Sequence, residues 1–408
     1  MKLKTKKRVD KYFGTLTLFV VSQIFRIGYL VFSRERTQPE FKDGDPILIM
    51  KFQGLGSLVL AKPGIHVLKN RYPHSKIYLW GTPATTGLAK LFPEFSGLIE
   101  LDDRSFFRSI FSLLENLRKI YSIQPKCVFD LEVYSRLSSV LISITFAPYR
   151  IGFAIDIVGN RKYTNTHLLL FNRYQWIGTA YIRLLTILSA NELKYSLDDF
   201  GQWNIHHQIP AVAKDKHYAV INMHSGDLSH ERKWSSDSFK DLVNEILNWK
   251  KDLTIFLIGK GPDEVEISND FAKQFSARVI SVAGQLSLAE TMNLLKFSEF
   301  VVSSDSGPMH LSIAMGTPTV CLFGPTRPTS YIVASKATQF VYKALYCSPC
   351  VHHWEIPPCN GNNQCMKTIS ALEVFEKIQL LQKNSVSNNA IIQPIKDITF
   401  NEGVVHKT

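Results

Sequence analysis

Apolar and polar positions along the chain alternate between two kinds of segment. Short apolar runs of four to six residues are bounded by glycine and polar turns, and longer stretches repeat apolar residues at helical spacing. Ile47-Leu48-Ile49-Met50 reads as a strand buried on both faces. The turn Gly54-Leu55-Gly56-Ser57 follows, then a helical stretch from Leu58 to Arg71, the stop Tyr72-Pro73-His74, and a second strand, Lys76 to Trp80. A helix over Ser105 to Tyr121 leads to a strand at Cys127 to Leu131. The pattern restarts near residue 217, with strands at His217 to Asn222, Thr254 to Ile258, Phe300 to Val302 and Thr319 to Phe323. Helices are expected between them at Ser236 to Trp249 and Leu288 to Leu295. Strand, turn, helix, strand is the unit of a doubly wound parallel sheet. Two successive runs of it, joined near residues 190–215, predict an α/β protein of two Rossmann-like domains facing a cleft, with ligands at the carboxyl ends of the strands. The expected divisions are a basic helix and linker over 1–44, a first domain over 45–205, a second over 206–383, and a polar tail over 384–408.

The N-terminus breaks this pattern. A basic run (Lys2, Lys4, Lys6, Lys7, Arg8, Lys11) precedes an apolar stretch from Phe13 to Phe32, and Arg34 and Arg36 follow it. Residues after the stretch do not form a small-residue cleavage site. The stretch is long enough to span a bilayer, but Gln23 and Arg26 interrupt it and both flanks are basic. Arg8, Lys11, Thr15, Ser22, Arg26 and Ser33 fall within about 60° on a helical wheel, a narrow polar stripe that suits a helix lying in a membrane interface. A helix docked on the protein's own core is the other reading.

Charge extends that picture. Lys and Arg number 47 against 35 Asp and Glu, a formal net charge of +12 that favours anionic partners. No nucleic-acid-binding motif accompanies it, so nucleic acid is not expected as a partner. Six cysteines are too few for a disulfide-built scaffold. Cys127 and Cys321 read as core thiols, whereas Cys347, Cys350, Cys359 and Cys365, with His352 and His353 between them, form a loose cluster suited to a structural zinc site or a disulfide pair.

The richest segment is Ser303 to Pro328. A strand ends in Asp305-Ser306-Gly307-Pro308 and a helix starts near Met309. Free N–H groups at a helix start make an anion site, which Gly307 lets a phosphate approach and to which His310 adds a donor. Asp305 would bind a sugar hydroxyl or cap the helix. The next strand ends in a second turn, Phe323-Gly324-Pro325-Thr326. An ordinary capped helix with a structural histidine is the plainer reading.

As a whole the string resembles the signature of glycosyltransferase family 9, the heptosyltransferase-like enzymes. Asp305, Ser306, Gly307, His310, Leu311, Ala314, Gly316, Pro318, Phe323, Gly324 and Thr326 all fit it. The likeness extends over most of residues 45–383 through Tyr72-Pro73, Arg150-Ile151-Gly152-Phe153, Arg232-Lys233-Trp234 and the cysteine cluster. It implies a GT-B fold, a nucleotide-diphosphate sugar donor held mainly by the C-terminal domain, an acceptor held by the N-terminal domain, and inverting transfer without a metal or cofactor. The donor set is then Ser225, Arg232, Lys233, Asp305, Ser306, Gly307, His310, Gly324 and Thr326, although Arg232 and Lys233 also read as a solvated charged turn. The family's usual Leu-Gly-Asp turn, whose Asp acts as base, is Leu55-Gly56-Ser57 here. A serine hydroxyl is no general base near neutral pH by itself. Asp130 and Glu132, at the end of the Cys127 to Leu131 strand, are the replacement candidates, with a helix cap and an ion pair to Arg136 as their other reading. The expected enzyme sits in the cytoplasm, peripheral or monotopic on the inner face of a bacterial cytoplasmic membrane. Its acceptor is lipid-linked or of lipopolysaccharide type, and the membrane surface is a partner. A non-catalytic nucleotide-sugar-binding protein of the same fold is the alternative, motivated by Ser57.

Overall fold

The computed structural model describes residues 5, 8–31, 40–155, 158–188, 200–226, 230–332, 335–351 and 359–386. The basic flanks at 1–4, 6–7 and 32–39, the pair His352 and His353, and the polar tail beyond 386 lie outside the described residues. Two compact units divide between Asn204 and Ile205.

The first unit carries β1 (Ile47–Lys51), α2 (Leu55–Arg71), β2 (Ile77–Gly81), α3 (Pro83–Ala89), β3 (Gly97–Glu100), α4 (Phe106–Ile123), β4 (Cys127–Asp130), α5 (Arg136–Ser143), β5 (Tyr149–Ala154), α6 (Arg161–Thr164), β6 (His167–Leu170) and α7 (Ile177–Thr186), preceded by α1 (Thr15–Val31). Its six strands are all parallel in the order β3-β2-β1-β4-β5-β6. The chain reverses its direction of travel between β1 and β4, whose register pairs Met50 with Asp130. β1 is buried along its whole length, which is why it reads as an unbroken apolar run. α2 begins at Leu55, three residues before the expected start, so Ser57 lies in its first turn. Further along α2, a side chain on Gly64 would meet Leu185 and the Ile182 backbone of α7 at 2.9–3.0 Å. The glycine therefore lets these helices approach closely, bringing Tyr181 of α7 to the mouth of α2.

The second unit holds β7 (Tyr218–Asn222), α8 (Ser236–Trp249), β8 (Thr254–Leu257), α9 (Pro262–Ala272), β9 (Val279–Ser281), α10 (Leu288–Lys296), β10 (Val301–Ser304), α11 (Gly307–Ala314), β11 (Thr319–Phe323), α12 (Pro328–Tyr331), β12 (Thr338–Tyr342), α13 (Gln364–Lys367) and α14 (Ala371–Val386). Its sheet repeats the topology, β12-β11-β10-β7-β8-β9, all parallel. The switch point falls between β7 and β10. α8 shows why these segments become helices: Ser235 caps it by accepting from the Ser238 N–H, and Phe239, Leu242, Val243, Ile246 and Leu247 bury one face.

α1 departs from expectation. No helix among the described residues is long and apolar enough to cross a membrane. The helix docks on the first unit instead. A π-helical turn, Asp10–Gly14, leads into it, and the Asp10 carboxylate accepts from Ser135 Oγ (2.7 Å) and from the Arg136 and Leu137 amides (3.0 and 2.9 Å), capping α5. Gly14 packs on Arg136 and Leu137, Leu18 and Ser22 are buried, and the Arg26 guanidinium lies over the Tyr163 ring. The polar stripe expected to face water is thus turned at Ser22 and Arg26 toward the protein, and the apolar face points outward. Small and polar residues suit close packing on α5 and α6, whereas the bulky apolar face has no partner there.

Candidate functional site

In the second unit the groups at the switch point come from three loops. Asn222, the last residue of β7, donates through Nδ2 to the His224 carbonyl (2.9 Å), Ser303 Oγ (2.9 Å) and Ser306 Oγ (2.8 Å). This ties the loop after β7 to the loop after β10. Ser306 is the N-cap of α11 but makes no side-chain capping bond, because its hydroxyl is engaged with Asn222 and with the Ser304 carbonyl. The helix start stays partly exposed at Ser306, Gly307 and Pro308. It keeps its orphan N–H groups for a ligand.

Asp305 organises the cationic side. Its Oδ2 accepts from Thr326 Oγ1 at 2.6 Å and lies 3.4 Å from Arg232 Nη1, while His310 Nε2 is 3.9 Å from Oδ1. Arg232 Nη1 also donates to the Asp305 carbonyl at 3.3 Å. Asp305, Arg232, His310 and Thr326 are all buried. Burial, reinforced by the nearby Arg232 charge and opposed by Asp305, pushes the His310 pKa down to about 4. His310 is therefore a neutral imidazole at neutral pH, a hydrogen-bond donor that costs no charge burial until an anion arrives. The Arg232 Nε is buried and has no partner among the described residues. An unpaired guanidinium N–H costs desolvation energy, and this one lies beside an uncapped helix start, so the two together can receive an anionic acceptor.

The turn bearing Arg232 is held from behind. Trp234 is buried, stacks edge-on against Phe239, and donates through Nε1 to the Ile369 carbonyl at 3.0 Å. Asn363 Nδ2 bonds the carbonyls of Glu231 and Lys233, at 3.1 and 2.9 Å. Lys233 itself is exposed, whereas Arg232 is buried beside Asp305. Ser225 is buried in the loop after β7, near His224, whose Nε2 pairs with Ser268 Oγ at 2.8 Å.

Gly324 and Thr326 act from beneath the site. A side chain on Gly324 would meet Met366 Sδ at 2.5 Å and Cys365 Sγ at 3.0 Å, so this glycine is needed for packing on the cysteine segment. Ser348 Oγ bonds the Gly324 carbonyl, and the Cys350 and Val351 amides bond the Pro325 carbonyl at 3.0 and 3.1 Å. All six cysteines are free thiols, so of the two readings of the late cluster the disulfide pair is not formed. Among the described residues no group of three or more His, Cys, Asp or Glu is arranged to hold a metal. Burial, then the neighbouring thiols of the cluster, push the Cys365 pKa up to about 11. The segment braces both loops of the site, through Pro325 on one side and the Glu231–Lys233 carbonyls on the other.

In the first unit the corresponding switch point gathers Ser57, Asp130 and Glu132, together with three residues that are not among the sequence candidates, Lys51, Tyr181 and Arg161. Glu132 Oε1 accepts from the Phe52 and Gln53 amides (2.7 and 2.8 Å), and its Oε2 lies 3.1 Å from Lys51 Nζ. Burial disfavours the Lys51 charge, but the Glu132 carboxylate and its neighbours hold the Lys51 pKa above its ordinary value. Ser57 is partly exposed and shares a hydrogen bond with the Tyr181 side chain. Asp130 is 1% exposed and has both oxygens engaged, Oδ1 with the Glu132 amide (2.9 Å) and Oδ2 with Ser138 Oγ (2.7 Å). Burial pushes its pKa up to about 6. Its cationic neighbour is Arg161 at 3.9 Å, not Arg136, which faces Asp10. Arg161 also donates to the carbonyls of Phe153, Glu132 and Ser135. Lys51 and Asn222 were each visible as the one polar residue closing an apolar strand. Arg161 carried no comparable signal.

The glycosyltransferase family 9 (heptosyltransferase) model matches residues 179–359. Lipooligosaccharide heptosyltransferase 2 of Campylobacter jejuni is 24% identical over 338 residues, covering 81% of this chain and 96% of the relative. Among solved structures, the family 9 glycosyltransferase of Veillonella parvula superposes with a TM-score of 0.65 at 21% identity, covering 85% of this chain and 99% of that one. ADP-heptose LPS heptosyltransferase II of E. coli superposes with a TM-score of 0.64 at 16% identity, covering 84% and 99%. These likenesses show the GT-B fold, and the family match lies over the segment that builds the Arg232, Asp305 and His310 cluster. The chain is thus similar to glycosyltransferase family 9, the heptosyltransferase-like glycosyltransferases, by the family model over residues 179–359 and by heptosyltransferase relatives over about four fifths of its length.

Proposed function

We propose that this glycosyltransferase moves a heptose-type sugar from a nucleoside diphosphate, ADP by analogy with its relatives, to a lipopolysaccharide-core acceptor at the cytoplasmic face of the inner membrane. The observation that carries the reading is the orphan Nε of buried Arg232 beside the uncapped start of α11. An anionic diphosphate supplies acceptors for that N–H and for the Gly307 and Met309 amides. Arg232 and the neutral His310 then stabilise the charge that grows on the diphosphate as the glycosidic bond breaks. Asp305 and Thr326 are positioning residues, since both act through the orientation of Arg232.

Transfer with inversion is an in-line displacement: the acceptor oxygen attacks the anomeric carbon as the diphosphate departs, and the acceptor proton passes to a base. We assign that proton to a carboxylate at the end of β4. Glu132 is the better placed of the two, because it holds the loop Phe52–Gln53 that leads into the turn at Ser57. Asp130 is enclosed by Ser138, the Glu132 amide and Arg161, and serves to fix that strand end. Ser57 is left to orient the acceptor hydroxyl.

A melting-temperature panel tests this. ADP and ADP-heptose at about a hundred times their dissociation constants should add about 2.7 kcal/mol of stability, a rise of a few degrees. Adenosine, which lacks the diphosphate, should leave the melting point unchanged. Absence of a rise with every nucleoside diphosphate and its sugars would remove the donor reading.

A further inference from the structure

We infer that one side of the first unit is a docking surface for an anionic lipid bilayer, formed jointly by α1 and α4. The inference deepens the proposed function and rests on it only for the membrane-borne acceptor; the surface itself is argued from exposure, placement and charge.

α1 presents Leu16, Phe19, Ile24 and Ile27 to solvent, 53–63% exposed. α4 does the same with Phe107 and Phe111, each 72% exposed, and with Leu114 at 55%. Bulky apolar residues this open, repeated at helical spacing on two helices, exceed the scattered exposure of an ordinary surface. The two helices lie on one side of the sheet. Ile120 of α4 and Ile142 of α5 share a core cluster over the face formed by Leu48, Met50 and Val128, and α1 packs on the outside of α5. Phe146 joins them. It is 67% exposed, stacks on Phe25 of α1 at 6.3 Å, and holds φ at 52°, a left-handed conformation unfavourable for a bulky side chain.

Charge selects the occupant. Residues 1–36 carry nine Lys and Arg against two acids, and one of those acids, Asp10, is spent in capping α5. Exposed Arg104, Arg108, Arg118 and Lys119 flank the α4 stripe, with Asp102, Asp103 and Glu115 as the acids among them. An apolar stripe rimmed by cations fits acyl chains and anionic headgroups. The stripes also begin at the functional edge. α4 starts just after β3 ends, and Asp10 caps the start of α5 just after β4, so both lie beside the carboxyl edge that bears Ser57 and Glu132. A bilayer on this side brings a lipid-anchored acceptor to that edge.

The test uses the full chain with vesicles of phosphatidylethanolamine and phosphatidylglycerol, and of phosphatidylcholine alone, read by co-sedimentation. The wild type should bind the anionic vesicles, and less so as salt is raised. Phe107→Ser/Phe111→Ser and Leu16→Ser/Phe19→Ser should each lower the partition coefficient about tenfold or more. Their melting temperatures should be unchanged, because the positions are exposed. Transfer to a detergent-dispersed acceptor should stay at the wild-type rate in both variants, which separates this surface from the chemistry. Equal vesicle binding by wild type and both variants overturns the inference while leaving the proposed function standing. So does a wild-type dimer in sedimentation velocity that either variant turns into a monomer with vesicle binding unchanged, since the stripe is then a contact between copies.

Discussion

Glu132→Gln is expected to lower turnover by about 10²–10⁴-fold, the range for loss of a general base. Gln keeps the size of the side chain and its carbonyl still accepts from the Phe52 or Gln53 amide, but it cannot take the acceptor proton. It also leaves Lys51 buried beside a neutral group, which lowers stability. Turnover is therefore measured at saturating donor on protein shown to be folded by circular dichroism. Donor affinity should match wild type. Ser57→Ala should cost only a small factor, because its hydroxyl orients and does not accept the proton. Asp130→Asn should act on stability, by about 1–3 kcal/mol, because the amide cannot accept from both Ser138 and the Glu132 N–H as the carboxylate does. Full turnover in Glu132→Gln would remove it as base, and full turnover in Asp130→Asn as well would remove the β4 carboxylates together.

Arg232→Met should weaken ADP binding by about 10–150-fold, the equivalent of about 1.5–3 kcal/mol for hydrogen bonds between charged groups. The methionine keeps much of the buried volume but leaves Asp305 without its cation, so the melting temperature should fall as well. Lys233→Met, one residue on, should change affinity little, because the side chain is exposed. Calorimetric titration of ADP into the three proteins checks this. Equal affinities for wild type and Arg232→Met would place the diphosphate elsewhere.

Local pattern made most of the fold legible. The helix Ser236–Trp249 and the strand Thr319–Phe323 end where caps and turns in the sequence place them. Long-range partners escaped. Asp10 looks like a stray acid in a basic run, yet its function is to cap a helix about 125 residues away. Arg136 is the arginine nearest Asp130 in sequence, but a cap by Asp10 turns it outward and Arg161 takes its place. The polar stripe of α1 was visible on the helical wheel, whereas its direction depended on a docking partner that periodicity does not encode. The packing of Gly324 on Met366 lies across a loop, so local sequence does not reveal it.

The most direct measurement of the central claim is transfer itself. The purified full chain is mixed with ADP-heptose and lipopolysaccharide truncated in its inner core, and ADP release is followed together with the mass of the acceptor. One ADP should be released for each heptose added to the acceptor, with the rate lowered by about 10²–10⁴-fold in Glu132→Gln at unchanged donor affinity. Donor that binds but yields neither ADP nor a heavier acceptor, with this core or with others, would contradict it and leave a binding protein in place of an enzyme.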